Sequence, residues 1–436
     1  MMQLTNEMVE AVDIIQNTNQ SLYITGKAGT GKTTFLRYIV NNIKKKFIVT
    51  ASTGIAAVNA GGVTLHSLLN IPFGVLTESE NVHSSYKPEK AMLLRSIDAI
   101  IIDEVSMVRP DVIDYVDRKL QMYRGSSEPF GGVQIIMFGD LFQLPPVVKA
   151  DEQHILSQFY RGIYFFHAHV WRNAGFKVIE LTHIFRQNDK RFIEILNNIR
   201  EYRIMQEDID DLAALRNKNE SKDFSNSSIH ICAYRKDVQK INTELLGEPT
   251  HVYKAIVTGD FQPNSAPCEQ ELKLRVGARV MMLVNDPAHV YCNGSLGEVV
   301  NLNDKVVTVK LDNGCTVGVM PNTWSAKEYR MMNDKIETID KGSCTQFPIA
   351  LAWAITIHKS QGLTFDNVVI HTKGCFVPGQ LYVALSRCRT LEGIVSDTFI
   401  DKRYILTDME LVKFTEAYKL NNNIFDNETY KIMRRV

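Results

Sequence analysis

No two of the seven cysteines are spaced as CxxC, and none precedes Cys232. That excludes a zinc ribbon and a paired disulfide framework, and leaves free thiols suited to a reducing compartment. Long hydrophobic runs are missing too: DAIIIDEV, among the most apolar stretches, is far shorter than a membrane span. The N-terminal MMQLTNEMVEAVDIIQ carries acidic residues and no continuous apolar block, which speaks against a secretory signal. A cytoplasmic protein without a membrane partner is expected. Net charge is also absent, because 49 basic residues balance 49 acidic ones, so composition gives no support for polyanion binding by bulk charge. Only locally does the balance tilt: Leu351 to Thr390 sets Lys359, Lys373, Arg387 and Arg389 against Asp366 alone.

What is present is an ordinary apolar share of 45% over 436 residues, enough for two to four domains. SLYIT, FIVTA, AIIIDE and VQIIMFGD are short β-branched runs, each followed by turn residues or a helical pattern, and read as buried parallel strands. VIEL (178–181), SIHICAY (228–234) and NVVIHT (367–372) form a second series. Between its parts GARVMMLVN, LGEVVNL, KVVTVKL and CTVGVM alternate and are separated by NG, ND and DNG, the dipeptides of tight hairpins. The expected fold class is therefore α/β: two parallel-sheet units, with an all-β module inserted in the second. The expected boundaries are 1–175 for the first unit, with a small insertion about 60–85. The second unit takes 176–250 and 346–410, the β module 251–345, and a C-terminal helical segment 411–436.

Chemistry concentrates in a few stretches. GKAGTGKT fits GxxxxGK[ST] at every fixed position, between a strand and a helix. Backbone N–H groups from Gly26, Ala28, Gly29, Thr30, Gly31 and on to Thr34 would converge on phosphates, Lys32 would neutralise them, and Thr33 would place its hydroxyl on Mg²⁺. IIIDEVSM ends a buried strand in adjacent carboxylates, Asp103 for the metal and Glu104 for the attacking water. GDLFQLPPV places Gln143 where a γ-phosphate could be sensed, beside a stiff lip of Leu144, Pro145 and Pro146. ASTGIAAVNAGGVTLHSLL offers Thr53, Gly54, Thr64 and His66 as donors or close-approach positions for phosphates, although, taken alone, a small-residue helix packed on the sheet with His66 a satisfied core histidine explains it better. HIFRQ contributes Arg186 and YVALSRCR contributes Arg387, two arginines in a unit without a phosphate loop of its own, as an arginine finger requires. LAWAITIHKSQGLTFDNVVI supplies Thr356, His358 and Lys359 as phosphate contacts and Gly362 for close approach of the backbone to a nucleotide.

In this order the motifs resemble superfamily-one helicases of the RecD-like branch, and in particular the Pif (petite integration frequency) family of 5′-to-3′ DNA helicases, over about residues 3 to 400. PDVIDYVDRKLQMYRGSSEPFGGVQIIMFGD resembles that family's signature segment, and RVGARVMMLVN…YCNGSLGEVV its SH3-like insertion. The resemblance implies two RecA-like lobes and ATP with Mg²⁺ as cofactors. It implies movement along single-stranded DNA and the opening of tailed or forked duplex, with G-quadruplex DNA as a further substrate, by a monomer. Thr53, Gly54, Thr64, His66, Leu144, Pro145, Thr356, His358 and Lys359 become the expected DNA contacts. QLTNEM resembles the family's adenine-reading segment; Gln3 is present, but the second glutamine is replaced by Met8. The alternatives at this stage are a DNA-stimulated ATPase switch without strand separation and a P-loop kinase.

Overall fold

The computed structural model describes residues 4–72, 74–77, 86–187, 189–217, 228–262, 266–288, 290–332, 335–375 and 377–421. The chain forms two compact units, one of Met1–Phe185, Lys327–Asp340 and Met409–Val436, the other of Arg186–Ala326 and Lys341–Asp408.

In the first unit the order is α1 (Asn6–Asn17), β1 (Leu22–Gly26), α2 (Lys32–Asn42), β2 (Phe47–Ala51), α3 (Gly54–Ala60), β3 (Val63–Thr64), α4 (Leu65–Leu69), α5 (Pro88–Ser96), β4 (Ala99–Asp103), α6 (Pro110–Arg124), β5 (Gln134–Phe138), α7 (Ala150–Phe159) and β6 (Lys177–Leu181). The central strands β1, β4 and β5 are buried along their whole lengths. That is why they read as continuous apolar runs rather than alternations. They pair in parallel as β3-β2-β4-β5-β1-β6. Ile24, Ile101, Ile136 and Phe138 of the sheet pack with Phe35, Leu36 and Ile39 of α2 and with Met8, Ala11 and Ile15 of α1. This core holds the C-terminal ends of β1, β4 and β5 side by side.

VIEL belongs to this sheet and not to the second series: as β6 it pairs with β1 over Leu22 to Gly26. The strand's own composition does not reveal its partner, since a parallel strand is placed by its crossover.

The second unit continues with α8 (Lys190–Arg200), α9 (Gln206–Asn217), β7 (Ile229–Cys232), α10 (Arg235–Leu246), β8 (His251–Lys254), β9 (Ile256–Gly259), β10 (Glu271–Leu274), β11 (Arg279–Met282), β12 (Leu296–Leu302), β13 (Val307–Leu311), β14 (Thr316–Val319), the outer parts of β15 (Asn322–Met332) and β16 (Lys335–Gln346), whose Lys327–Asp340 belong to the first unit, β17 (Ile349–Leu351), β18 (Ala354–Thr356), β19 (Val368–His371), α11 (Gln380–Leu385) and β20 (Ile394–Ser396). Its parallel sheet runs β18-β7-β19-β20. The β module contains an antiparallel sheet ordered β14-β13-β12-β11-β17, so it borrows Ile349–Leu351 from beyond the expected limit of 345. Alternation along β13 buries Val307, Val309 and Leu311 against Val280, Met282 and Val299. A last helix, α12 (Met409–Asn421), falls in the first unit, where Phe414 stacks on Phe166 with ring centroids 4.1 Å apart.

No helix among the described residues is long and apolar enough to cross a membrane, and all seven cysteines are free.

Candidate active site

The loop between β1 and α2 has the conformation its glycines permit. Gly29 and Gly31 sit at φ 85° and 77°, where a Cβ would be strained, and Gly31 is the N-cap of α2. Gly26 is required for another reason: a Cβ there would meet Thr30 Oγ1 at 2.7 Å and the Leu181 carbonyl oxygen at 2.8 Å. Lys32 is the first helical residue, and its Nζ donates to the carbonyls of Gly26 (2.7 Å) and Lys27 (3.1 Å). Its ammonium is thereby parked over a loop whose N–H groups and helix N-terminus favour an anion. Thr33 is half-buried and Thr34 exposed in the next positions, while Ala28 is buried beneath.

Asp103 ends β4 and Glu104 follows in a left-handed backbone conformation, φ 51° and ψ 45°. For a residue other than glycine this stores about 1–3 kcal/mol, a cost tolerated where a side chain must be aimed. Asp103 Oδ1 accepts from the Glu104 N–H at 2.9 Å. Burial raises the Asp103 pKa and the adjacent Glu104 carboxylate raises it further, against the pull of Lys32 and Arg37. Such a pair fits a divalent cation, whose charge would restore the ionised state. No group of three His, Cys, Asp or Glu poised for a metal exists among the described residues. A cation at Asp103 and Thr33 would therefore complete its shell from phosphate and water, the habit of magnesium. Gln143 is 7% exposed, and its Nε2 donates to Asp140 Oδ2 at 3.4 Å, so the buried Asp140 fixes the amide at the end of β5.

The expected polynucleotide contacts divide. Thr53 and Thr64 are N-caps of α3 and α4, accepting from Ala56 N (3.2 Å) and Ser67 N (3.1 Å). Each cap uses an oxygen lone pair and leaves the hydroxyl proton to donate. His66 is half-buried, and burial together with Arg109 holds it below the ordinary histidine range against the opposing Asp111. Gly54 opens α3, and Pro145 is half-buried. Leu144 departs from expectation: at 1% exposure it anchors the lip from beneath and offers no surface. An apolar side chain in a two-proline lip is drawn inward by the same burial that stiffens the lip.

In the second unit His358 and Lys359 are exposed after β18, while Thr356 is 7% exposed and accepts from the Lys359 N–H at 3.1 Å. Gly362 is exposed at φ 78°, so the turn needs glycine for its backbone; an added Cβ would meet nothing within 4 Å. Arg186 is half-buried, with Nη1 donating to the Ser386 carbonyl at 3.1 Å. Arg387 was expected to reach outward, yet it is 1% exposed. Nε donates to Val383 O (2.9 Å), Nη1 to Ser360 O (3.3 Å) and Nη2 to Ser386 Oγ (2.8 Å). A buried guanidinium must satisfy its donors, and here its own unit does so. Gln3 lies outside the described residues. Met8 is fully buried in the core of the first unit, so an apolar residue there serves packing rather than base reading.

Two neighbours escaped sequence reasoning. The Phe185 N–H donates to the Gly29 carbonyl at 2.9 Å, and its ring, 49% exposed, lies 3.5 Å from where a Cβ on Gly31 would stand. Gln187, 2% exposed, donates to the carbonyls of Ser386 (3.1 Å) and Cys388 (3.2 Å) and so ties Arg186 to the turn that carries Arg387. The signal was their adjacency to Arg186 in FRQ.

Residues 3–211 match the family described as PIF1-like helicase, 264–302 match the DNA helicase Pif1 2B domain and 351–395 match the UvrD-like helicase C-terminal domain. The chain is 34% identical over 390 residues to an ATP-dependent DNA helicase PIF1 from Xenopus laevis, covering 86% of this chain but only 59% of that protein. The structure of Pif1 from Bacteroides sp in complex with ADP-AlF4 shares 52% identity and a TM-score of 0.92, covering 97% of this chain and 99% of the other. Bacteroides Pif1 bound to ssDNA shares the same 52% identity, with a TM-score of 0.73 and coverage of 97% and 99%.

Proposed function

This chain belongs to the PIF1-like helicase family, and from that premise we propose that it is an ATP-dependent DNA helicase which moves along single-stranded DNA and opens tailed or forked duplex. Hydrolysis is read as the work of the first unit. The loop from Gly26 to Thr34 cradles the phosphates, with Lys32 exchanging its two carbonyl partners for phosphate oxygens. Thr33 and Asp103 would hold Mg²⁺, which would supply neutralising charge to the nucleotide phosphates. Glu104, aimed by its left-handed backbone, takes the proton of the attacking water. Gln143, fixed by Asp140, registers the γ-phosphate.

The second unit contributes Arg186 and Arg387 to the charge of the transferring phosphoryl group. For Arg387 this requires giving up carbonyl bonds within its own unit, which makes it a group engaged late in the cycle. Gly362 lies two residues beyond Ser360, whose carbonyl is one of these acceptors. The exposed His358 and Lys359, and the hydroxyl protons of Thr53, Thr64 and Thr356, are the strand contacts, joined by His66, Gly54 and Pro145. Leu144 acts through the lip it supports. Movement is 5′-to-3′, ATP is selected with the help of Gln3, and the working species is a monomer; G-quadruplex DNA is a further substrate.

The observation that supports this reading most is the convergence of Lys32, at the start of α2, with Asp103 and Glu104 at the end of β4, close enough that the lysine and the glutamate both act on the Asp103 carboxyl. A kinase would place an acceptor where Glu104 is aimed. ATP hydrolysis measured with and without single-stranded DNA tests the reading. Stimulation by DNA is expected, with loss of both rates in Lys32→Ala; a basal rate unaffected by that substitution would remove the loop from the chemistry.

A further inference from the structure

Ser52 and Ser106 both lie near Asp103 along the backbone, one just past the neighbouring strand and the other three residues on. Ser52 follows β2, in which Ala51 is the register partner of Asp103, and the Ser52 N–H donates to the Asp103 carbonyl at 3.3 Å. Ser106 lies two residues beyond Glu104 in the 3-10 turn Val105–Met107, closed by the Met107 N–H on the Glu104 carbonyl at 3.2 Å, and is fully buried. Both hydroxyl oxygens are sealed from solvent, and neither has a hydrogen-bond partner among the described residues. Other hydroxyls of this sheet are satisfied: Thr50 Oγ1 donates to Ile101 O at 2.8 Å, and Ser21 Oγ accepts from Ile135 N at 3.0 Å.

A desolvated hydroxyl without a partner is destabilising, and alanine would fill either position without that cost. Two such groups in the backbone segments next to Asp103 point to a partner that arrives with the substrate. We propose that Ser52 and Ser106 are positioning residues for the water shell of the divalent cation at Asp103, holding the waters that the cation keeps when it binds with nucleotide. The proposal rests on the ATP reading above. Magnesium retains several waters and takes few protein ligands, so outer partners of this kind decide how tightly it is held.

Binding of a fluorescent ADP to the full chain, in excess chelator and then across a magnesium titration, tests the assignment. Ser52→Ala and Ser106→Ala should bind ADP as the parent does in chelator. Each should need about 10-fold more magnesium to reach the tight state, the size of effect expected from an outer-shell partner. Ser52→Thr, which keeps the hydroxyl, should restore the parent's requirement. The melting temperature without nucleotide or metal should be unchanged or higher in both alanine variants. A parent-like magnesium requirement in both variants overturns the proposal. So does a lowered melting temperature, since the hydroxyls would then have partners in the free fold. If the parent itself gains no affinity from magnesium, the ATP reading fails and this proposal fails with it.

Discussion

Single side chains carry the sharpest consequences. Glu104 is held at φ 51° with its carboxylate beside Asp103, so replacing it by the isosteric amide changes the base and little else. Glu104→Gln should bind nucleotide at least as tightly as the parent and hydrolyse it at least 100-fold more slowly, the lower range for losing a general base; single-turnover measurement reads the difference, and parent-like turnover would move the base elsewhere. His230 gives a pH dependence. Burial, with His371 at 2.9 Å from its Nδ1, lowers its pKa to about 4, although Asp397 beyond His371 pulls the other way. The neutral form is therefore the folded form. Its stability is fully present above the unfolded value near 6.5 and is lost as pH falls from there toward 4, on the order of 3 kcal/mol at most. Denaturant melts at pH 7.5 and pH 5 should separate in the parent and draw together in His230→Gln; equal separation in both would place the titration on another group.

At the scale of elements, sequence showed the buried parallel strands because two-sided burial writes itself as uninterrupted apolar residues, as in AIIID and QIIMF. It also showed the glycine-rich loop between β1 and α2, because left-handed positions at Gly29 and Gly31 demand the residue that marks them. Partnership between strands was not legible, and VIEL was assigned to the wrong sheet for that reason. Burial of single polar or apolar side chains was equally hidden: nothing in YVALSRCR says that Arg387 turns inward, and nothing in QLPP says that Leu144 does. Phe185 was hidden by its neighbour Arg186. Alanine keeps the backbone N–H that donates to Gly29, so Phe185→Ala isolates the exposed ring. If that ring carries the base of the nucleotide, the alanine variant should weaken ADP binding about 10-fold, the scale of a base–aromatic stack, with Phe185→Trp retaining affinity. Equal affinity in all three would confine the ring to shaping the loop.

For the whole molecule, each of the two units holds a part of what a motor needs. The first has the glycine-rich loop with Lys32, the paired carboxylates Asp103 and Glu104, and Gln143; the second has Arg186, Arg387 and an exposed His358–Lys359 pair. Local reading of composition, with zero net charge, says nothing for DNA, and the case rests on these groups together with the family the chain belongs to. Direction of travel is the claim that residue chemistry leaves open and the family reading commits to. The most direct test is strand displacement with ATP and magnesium on duplexes carrying a single-stranded tail at one end only. The protein should separate duplexes with a 5′ tail, and Lys32→Ala should separate none, while duplexes with only a 3′ tail stay intact. Displacement from the 3′ tail alone would contradict the account even if every phosphate contact were confirmed.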